Sequence, residues 1–173
     1  MNKSKKSKKI YIVDAIIAIV LLVIDQYTKY LTIDRLKGNP AYVLIDGVLE
    51  LQYLENRGSA FGILQNQKAF ILFIGVIFMA VIVYVLMKLP AQKKFYAVHV
   101  LLAAIIAGGV GNMIDRVRYD YVVDFISFVL INYPIFNFAD ICIVLGTIGL
   151  FVEFVFVLKE EDFAFLNFKK KSS

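Results

Sequence analysis

Two aspartates, Asp124 and Asp140, are of a type that can hydrolyse a peptide bond without a metal or a nucleophilic serine. When two carboxyl groups lie close together they cannot both ionise, so one keeps its proton at neutral pH. The charged group can then accept a proton from water while the other donates to a carbonyl oxygen. The pair is sixteen residues apart, which no single helix face brings together, but a turn at the intervening Pro134 would let the chain fold back. The spacing leaves a second interpretation open, in which Asp140 only caps a helix.

Three apolar stretches place a polar residue at a similar depth. Asp25, Asn112 and Asp140 fall roughly 22 to 27 Å from the same end of their stretches, at about 1.5 Å per residue. An ionisable residue in such a stretch needs partners to offset its cost, so this layer is the candidate site. Glycines at 108, 109 and 111 allow close helix approach beside it, or let backbone groups face a cavity. The residues that flank the layer in sequence are Asp115, Arg116, Asp124 and Asn137.

A second polar group comprises Asp14, His99 and Glu153, near the other ends of these stretches. One interpretation pairs them locally, with each other or with nearby lysines, since charges near helix ends cost little. The alternative is a proton relay. A single histidine without a Cys/His cluster does not predict a metal site, and we expect no metal or other cofactor.

The composition indicates an integral membrane protein. Hydrophobic residues make up 60% of 173, well above the 45–50% or so of soluble domains, and mean hydropathy is +0.74. The single cysteine, Cys142, excludes a disulfide scaffold, and the apolar content excludes a disordered chain. The net charge of +5 is concentrated in lysine-rich ends, which suits anionic membrane lipid and gives no nucleic-acid-binding face.

Four apolar stretches are long enough to cross a bilayer, which predicts an all-α membrane protein with a single domain over residues 1–173. Most of the nineteen Lys and Arg residues then fall on the side of the termini, so we expect both termini in the cytoplasm. No small-residue cleavage site follows the first span, which we therefore interpret as an uncleaved helix. The predicted spans are residues 10–31, 69–88, 95–114 and 139–158, with outer segments 32–68 and 115–138.

The first outer segment is too long for a turn, and its residues 42–53 alternate partly and are rich in Val, Leu, Ile and Tyr. This pattern predicts a small sheet or ribbon resting on the outer membrane surface.

Five blocks of sequence, in order along nearly the whole chain, resemble the prolipoprotein signal peptidases (signal peptidase II). One block alone would be a weak match, but five on a four-span topology are highly specific. They are Asp25-Gln26-Tyr27-Thr28-Lys29, Asn56-Arg57-Gly58-Ser59-Ala60-Phe61-Gly62, residues 108–116, Val122-Val123-Asp124-Phe125-Ile126 and Phe136-Asn137-Phe138-Ala139-Asp140.

The resemblance implies an intramembrane aspartic endopeptidase of the bacterial cytoplasmic membrane, with its site near the extracytoplasmic surface. Its substrates would be prolipoproteins carrying a diacylglyceryl group on a cysteine, cleaved just before that cysteine. Membrane lipid would be the other partner, and we expect a monomer. An outer β-cradle and a mobile outer loop, from about residues 40–62 and 115–137, would cover the site.

The resemblance also implies roles for individual residues. Asp124 and Asp140 would be the catalytic pair. Asn112, Arg116 and Asn137 would support the pair and position the substrate, and Asp25, Lys29 and Asn56 would shape the pocket or its entrance.

The chain departs from many relatives in two places. Gly109 follows the Ala107-Gly108 pair, which leaves local helix packing open, and Ser127 stands where an aspartate is frequent. Neither departure touches the pair. Two other classes stay open from the residues alone: a small transporter subunit, whose charges should span the full membrane depth, and a non-enzymatic assembly factor, which would not need both aspartates.

Overall fold

Four long helices form the body of the molecule, in a computed structural model that describes residues 8–58 and 67–166. They are α1 (Lys8–Leu36), α2 (Lys68–Lys88), α3 (Tyr96–Tyr119) and α4 (Phe138–Val152), the last continued by a π-helical turn, Glu153–Val157. All four are long and apolar enough to cross a membrane. The prediction of four spans is therefore confirmed by the length and composition of the helices. The predicted basic ends at residues 1–7 and 169–171, and residues 59–62 of the second sequence block, lie outside the described residues.

Two helices extend beyond their predicted spans at the end that carries the site. α1 continues to Leu36, five residues past the predicted end, and α3 continues to Tyr119. Asp115 and Arg116 therefore lie inside α3 and not in the predicted outer segment. The helix ends where Asp120 adopts a left-handed conformation, with φ of 67°, and its N–H bonds to the Arg116 carbonyl.

α3 is the central helix: about half of its apolar window is buried, against 11% in each of the other three. Glycines make this packing possible at two positions. A Cβ at Gly108 would collide with the Ala139 carbonyl oxygen on α4, and one at Gly111 would collide with the Asp25 carboxylate on α1. The predicted close helix approach is confirmed at these two glycines.

A three-stranded antiparallel sheet covers one end of the bundle, which we call the sheet end. Its order is β1 (Tyr42–Ile45), β2 (Leu49–Asn56) and β3 (Val122–Phe128). β1 and β2 pair where residues 42–53 predicted a small sheet or ribbon, whereas the third strand was expected only from the resemblance. At the opposite end, Leu89, Phe95 and Leu158 belong to a buried apolar cluster.

Two residues separate the end of α3 from the start of β3, and the chain then returns through a short 3₁₀ turn, Val129–Ile131. An isolated bridge between Ile126 and Phe136 draws this return segment back alongside β3. The start of α4 is thereby placed next to the middle of β3.

Candidate active site

Asp124 and Asp140 both line one cleft of about 1040 Å³ at the sheet end of the bundle. Asp124 sits in the middle of β3, and Asp140 in the first turn of α4. The bridge between Ile126 and Phe136 holds the chain reversal that two aspartates sixteen residues apart need in order to lie in one cleft. The structure therefore brings together the two carboxylates that the sequence singled out.

Two asparagines hold the pair. Asn137 Nδ2 donates to Asp124 Oδ1 at 2.7 Å, and Asn112 Nδ2 donates to Asp140 Oδ1 at 2.8 Å. The asparagines are also joined to each other, since Asn137 Nδ2 lies 3.1 Å from Asn112 Oδ1. Both side chains are buried, so these hydrogen bonds are shielded from competing water.

Asp140 also takes part in the cap of α4. The Asn137 side chain accepts from the Asp140 N–H at 3.0 Å, and Asp140 Oδ2 accepts from the Asn137 N–H at 3.1 Å. This is a capping box, so the helix-capping interpretation describes Asp140 Oδ2 correctly. It does not account for Oδ1, which bonds to Asn112, or for the position of the side chain in the cleft.

Asp124 is almost fully buried, and its side chain accepts a second hydrogen bond from Asn56 Nδ2 at 2.8 Å. Burial, reinforced by the nearby charge of Asp140, raises the pKa of Asp124 to about 7, although the bonds from Asn56 and Asn137 oppose the shift. A carboxyl group of this kind is present in both protonation states near neutral pH, as a general acid requires.

Lys29 does not line the cleft but lies behind it, and only 2% of its surface is exposed. Its Nζ is 3.0 Å from Asp25 Oδ2, 3.0 Å from Asp115 Oδ2 and 2.9 Å from Asn112 Oδ1. We call Lys29, Asp25 and Asp115 the buried ion cluster. The resemblance assigns Asp25 and Lys29 to the pocket or its entrance; among the described residues, neither is part of the cleft wall.

The buried ion cluster fixes both elements that carry the pair. Asp25 Oδ1 accepts from the Ala139 N–H at the start of α4, and Asp115 Oδ2 accepts from the Val123 N–H in β3. The cluster therefore bonds to the backbone directly beside Asp140 and Asp124.

Sequence reasoning left two members of this network without a role, Asp115 and Gln26. Gln26 Nε2 lies 3.1 Å from Asp25 Oδ2 and 3.0 Å from Asp115 Oδ1. The spacing of Asp25 and Lys29, four residues apart on one helix face, was the available signal. It points to a pair on α1 but not to a partner on α3.

Arg116 and Asn56 support the chain on the other side of the cleft. Arg116 donates to the Gly58 carbonyl at 2.8 Å and to the Asn112 carbonyl at 3.1 Å. Asn56 Oδ1 accepts from the Gly58 N–H at 3.0 Å while its amide donates to Asp124. Arg116 therefore binds two main-chain carbonyls.

The second polar group lies towards the opposite end. His99 Nδ1 is 2.8 Å from Asp14 Oδ2, both side chains are buried, and His99 Nε2 is 3.4 Å from the Pro90 carbonyl. For Asp14, this contact agrees with the interpretation that these polar residues pair locally. Glu153 differs, because its Oε2 is buried without a hydrogen-bond partner among the described residues. Within residues 8–58 and 67–166, no three His, Cys, Asp or Glu side chains are grouped as metal ligands.

Comparison with known proteins bears directly on this site. Residues 17–156 match the family model described as "Signal peptidase (SPase) II". The chain belongs to the signal peptidase II family. This membership confirms the resemblance read from the five sequence blocks, and it makes the protein an aspartic peptidase.

Individual members of the signal peptidase II family align with most of the chain. The lipoprotein signal peptidase of Enterococcus faecalis is 38% identical over 144 residues, covering 83% of this chain and 88% of the relative. That of Caldanaerobacter subterraneus is 43% identical over 135 residues, covering 78% and 90%. A solved bacterial membrane enzyme is 27% identical, superposes with a TM-score of 0.70, and is covered over 93% of its length by 91% of this chain. The protein is thus a multi-pass membrane protein with the architecture of a known bacterial membrane enzyme.

Proposed function

We propose that this signal peptidase II removes the signal peptide from diacylglyceryl-modified prolipoproteins, by cleaving just before the lipidated cysteine, and that Asp124 and Asp140 perform the hydrolysis. The observation that carries the proposal is the pair itself. Two carboxylates from different elements line one cleft, and each is fixed by a buried asparagine.

The surroundings of the two carboxylates favour different roles. Asp140 lies at the N-terminus of α4, where the helix dipole and the Asn137 N–H stabilise a negative charge. Asp124 lies in a strand, where burial raises its pKa to about 7. We therefore assign the resting proton to Asp124 and the charge to Asp140.

Hydrolysis then proceeds in two steps. Asp140 takes a proton from a water molecule, the resulting hydroxide attacks the scissile carbonyl carbon, and Asp124 donates its proton to the carbonyl oxygen. The tetrahedral intermediate collapses when Asp140 returns its proton to the leaving nitrogen and a hydroxyl of the intermediate gives its proton back to Asp124. Each carboxyl group ends in its starting state, so no further reactant is needed.

The shape of the cleft suits a substrate held in the membrane. Its wall includes Ile143 and Val144 of α4, and Val144 is half exposed on the lipid-facing surface of that helix. A precursor whose acyl chains stay in lipid could thus present its scissile bond from the side. Because the lipid anchor supplies part of the positioning, an unlipidated precursor should be cleaved poorly.

We further propose that the sheet end faces the extracytoplasmic side of the bacterial cytoplasmic membrane, with both termini in the cytoplasm. The bias of Lys and Arg towards the opposite side supports this orientation. The enzyme would act as a monomer, with a mobile outer loop closing over the cleft.

Cleavage of matched precursors by the purified protein tests the proposal. Wild type in detergent with EDTA should cleave a diacylglyceryl precursor and yield a product whose first residue is the lipidated cysteine, while the unlipidated precursor is cut slowly. Asp140→Asn should abolish cleavage, and Asp34→Asn, at an exposed aspartate of α1, should not. If folded wild type leaves the lipidated precursor intact, the substrate is wrong. If Asp140→Asn cleaves normally, the assignment of the pair is wrong.

A further inference from the structure

The return segment after β3 is unusually apolar for a part of the protein outside the spans. Residues 125–138 contain no charged side chain. Leu130 and Ile131 are exposed over 69% and 67% of their surfaces, and Tyr133 over 45%. Large apolar side chains are costly to leave in water, so a surface that presents several of them together indicates a partner.

The neighbouring edge strand enlarges this surface. All four residues of β1, Tyr42–Ile45, are exposed. Ile45 pairs with Leu49, and Leu49 pairs with Phe128, so the end of β1 lies one strand away from the return segment. A hydrogen bond from the Val129 N–H to the Val48 carbonyl joins the return segment to the hairpin turn. We call Tyr42–Ile45 together with residues 128–133 the apolar tip.

A cluster of charged side chains lies at the other end of the sheet, whereas Glu50, which pairs with Val43 at the tip, is half-buried and lines the cleft. Lys37 and Arg57 both bond to Glu55, which pairs with Val123 near the site. The apolar tip is separated from them by the length of β2. An edge strand with this many exposed apolar residues would pair with other chains in water, unless something covers it.

The apolar tip borders the same cleft as the exposed side of α4. Val129 and Tyr133 line this cleft together with Ile143 and Val144 of α4. Val144 is half exposed on a spanning helix and lies about 9 Å along the axis from Phe138, at roughly 1.5 Å per residue. Val144 on the spanning helix and the tip therefore border the same cleft.

From these observations we infer that the apolar tip inserts into the lipid leaflet at the sheet end of the bundle. The insertion is shallow, because the exposed Asp46 in the hairpin turn adjoins Ile45 and must stay among the headgroups. Tyr42 and Tyr133 suit the same level, where an apolar ring meets a polar hydroxyl. Insertion at the boundary of headgroups and acyl chains anchors the sheet over the mouth of the cleft.

Tryptophan fluorescence tests this inference directly, because the chain contains no tryptophan. Ile131→Trp, with Leu130→Trp as a second variant, is reconstituted in phosphatidylglycerol vesicles containing phosphatidylcholine brominated either near the headgroup or deep in the acyl chain. Two matched variants calibrate the measurement: Val144→Trp on the lipid-facing side of α4, and Asp34→Trp at an exposed position near the end of α1. Unchanged thermal unfolding shows that each variant is folded.

The tip variants should emit at short wavelength and be quenched as strongly as Val144→Trp, with the shallow bromine more effective than the deep one. Emission and quenching like those of Asp34→Trp would place the tip in water and overturn the inference. Short-wavelength emission that brominated lipid does not quench, and that depends on the protein-to-lipid ratio, would overturn it in favour of a second copy of the chain.

Discussion

Replacing Lys29 by methionine should destabilise the protein strongly, because methionine keeps the apolar stem but removes the cation of the buried ion cluster. The carboxylates of Asp25 and Asp115 each lie 3.0 Å from the Lys29 ammonium, and each is about 1% exposed. Without Lys29 they would face each other across α1 and α3 as uncompensated charges. Asn112 Oδ1 would also lose one of its two donors, the Lys29 ammonium at 2.9 Å.

The size of the effect follows from the geometry. Two unit charges 3.0 Å apart attract by about 5.5 kcal/mol at an effective dielectric constant of 20, and the desolvation of Lys29 offsets part of this. Removing one partner of a buried ion pair costs about 3–5 kcal/mol. For a chain of this length, each kcal/mol lowers Tm by about 2–4 °C, so Lys29→Met should lower it by about 6–20 °C.

Thermal unfolding in one detergent, followed by circular dichroism, measures this loss. Lys37→Met removes a lysine paired at 3.3 Å with Glu55 at an exposed position, so its Tm should match that of wild type. Lys29→Met combined with Asp115→Asn should be less destabilised than the sum of the two changes, since one unpaired charge disappears with its partner. A Tm for Lys29→Met within about 2 °C of wild type would refute the view that the cluster is ionised and holds the site together.

Three further predictions concern the acid, the helix contact and the orientation. The pKa of Asp124 is raised from 3.8 to about 7, so between these pH values the native state binds more protons than the unfolded chain, and its stability falls as pH rises. Asp124→Asn should remove this pH dependence and have a higher Tm than wild type at pH 8 in thermal unfolding measured across pH. A parallel pH dependence of Tm in both proteins would contradict the raised pKa. Gly111→Ala should lower Tm and activity because its Cβ meets a buried carboxylate, whereas Gly75→Ala, whose Cβ meets only a methionine side chain at 3.5 Å, should leave Tm equal or higher; equal losses would contradict the packing. In inverted membrane vesicles, a cysteine at Lys159 should react with an impermeant maleimide and one at Lys37 should not; the reverse would overturn the orientation.

The fold was predictable where hydrophobicity alone decides it. The α2 span from 69 to 88 differs from the observed helix by one residue, because nothing but apolar side chains lies between its terminal lysines. The far end of α3 was harder. Asp115 and Arg116 look like the end of a span, since charged residues normally lie at or beyond the membrane surface. They stay helical because the buried ion cluster takes in Asp115 and main-chain carbonyls receive Arg116.

The residues of the candidate site were predictable, but the hydrogen bonds and ion pairs between them were not. Asp124 and Asp140 stand out as carboxylates in or beside the layer where the spans carry polar groups. The same layer pointed to Asp25, Asn112, Arg116 and Asn137, and the resemblance added Lys29 and Asn56. The position of Lys29 behind the pair depends on the rotation of α1 about its axis relative to α3. The face of α1 that packs on α3 is hard to identify from the sequence, because apolar residues lie nearly all round this helix. The contact of Asp115 with Lys29 was not predicted for the same reason.

Single-turnover cleavage of the lipidated precursor by Asp124→Asn, Asp140→Asn and the double variant tests the central claim most directly, because groups that act as a unit are not additive. We predict that each single change lowers the rate as far as the double change does, with all three variants still folded and still binding the precursor. Substantial activity in either single variant, or a double variant far slower than both, would contradict the claim that these two carboxylates form one catalytic pair.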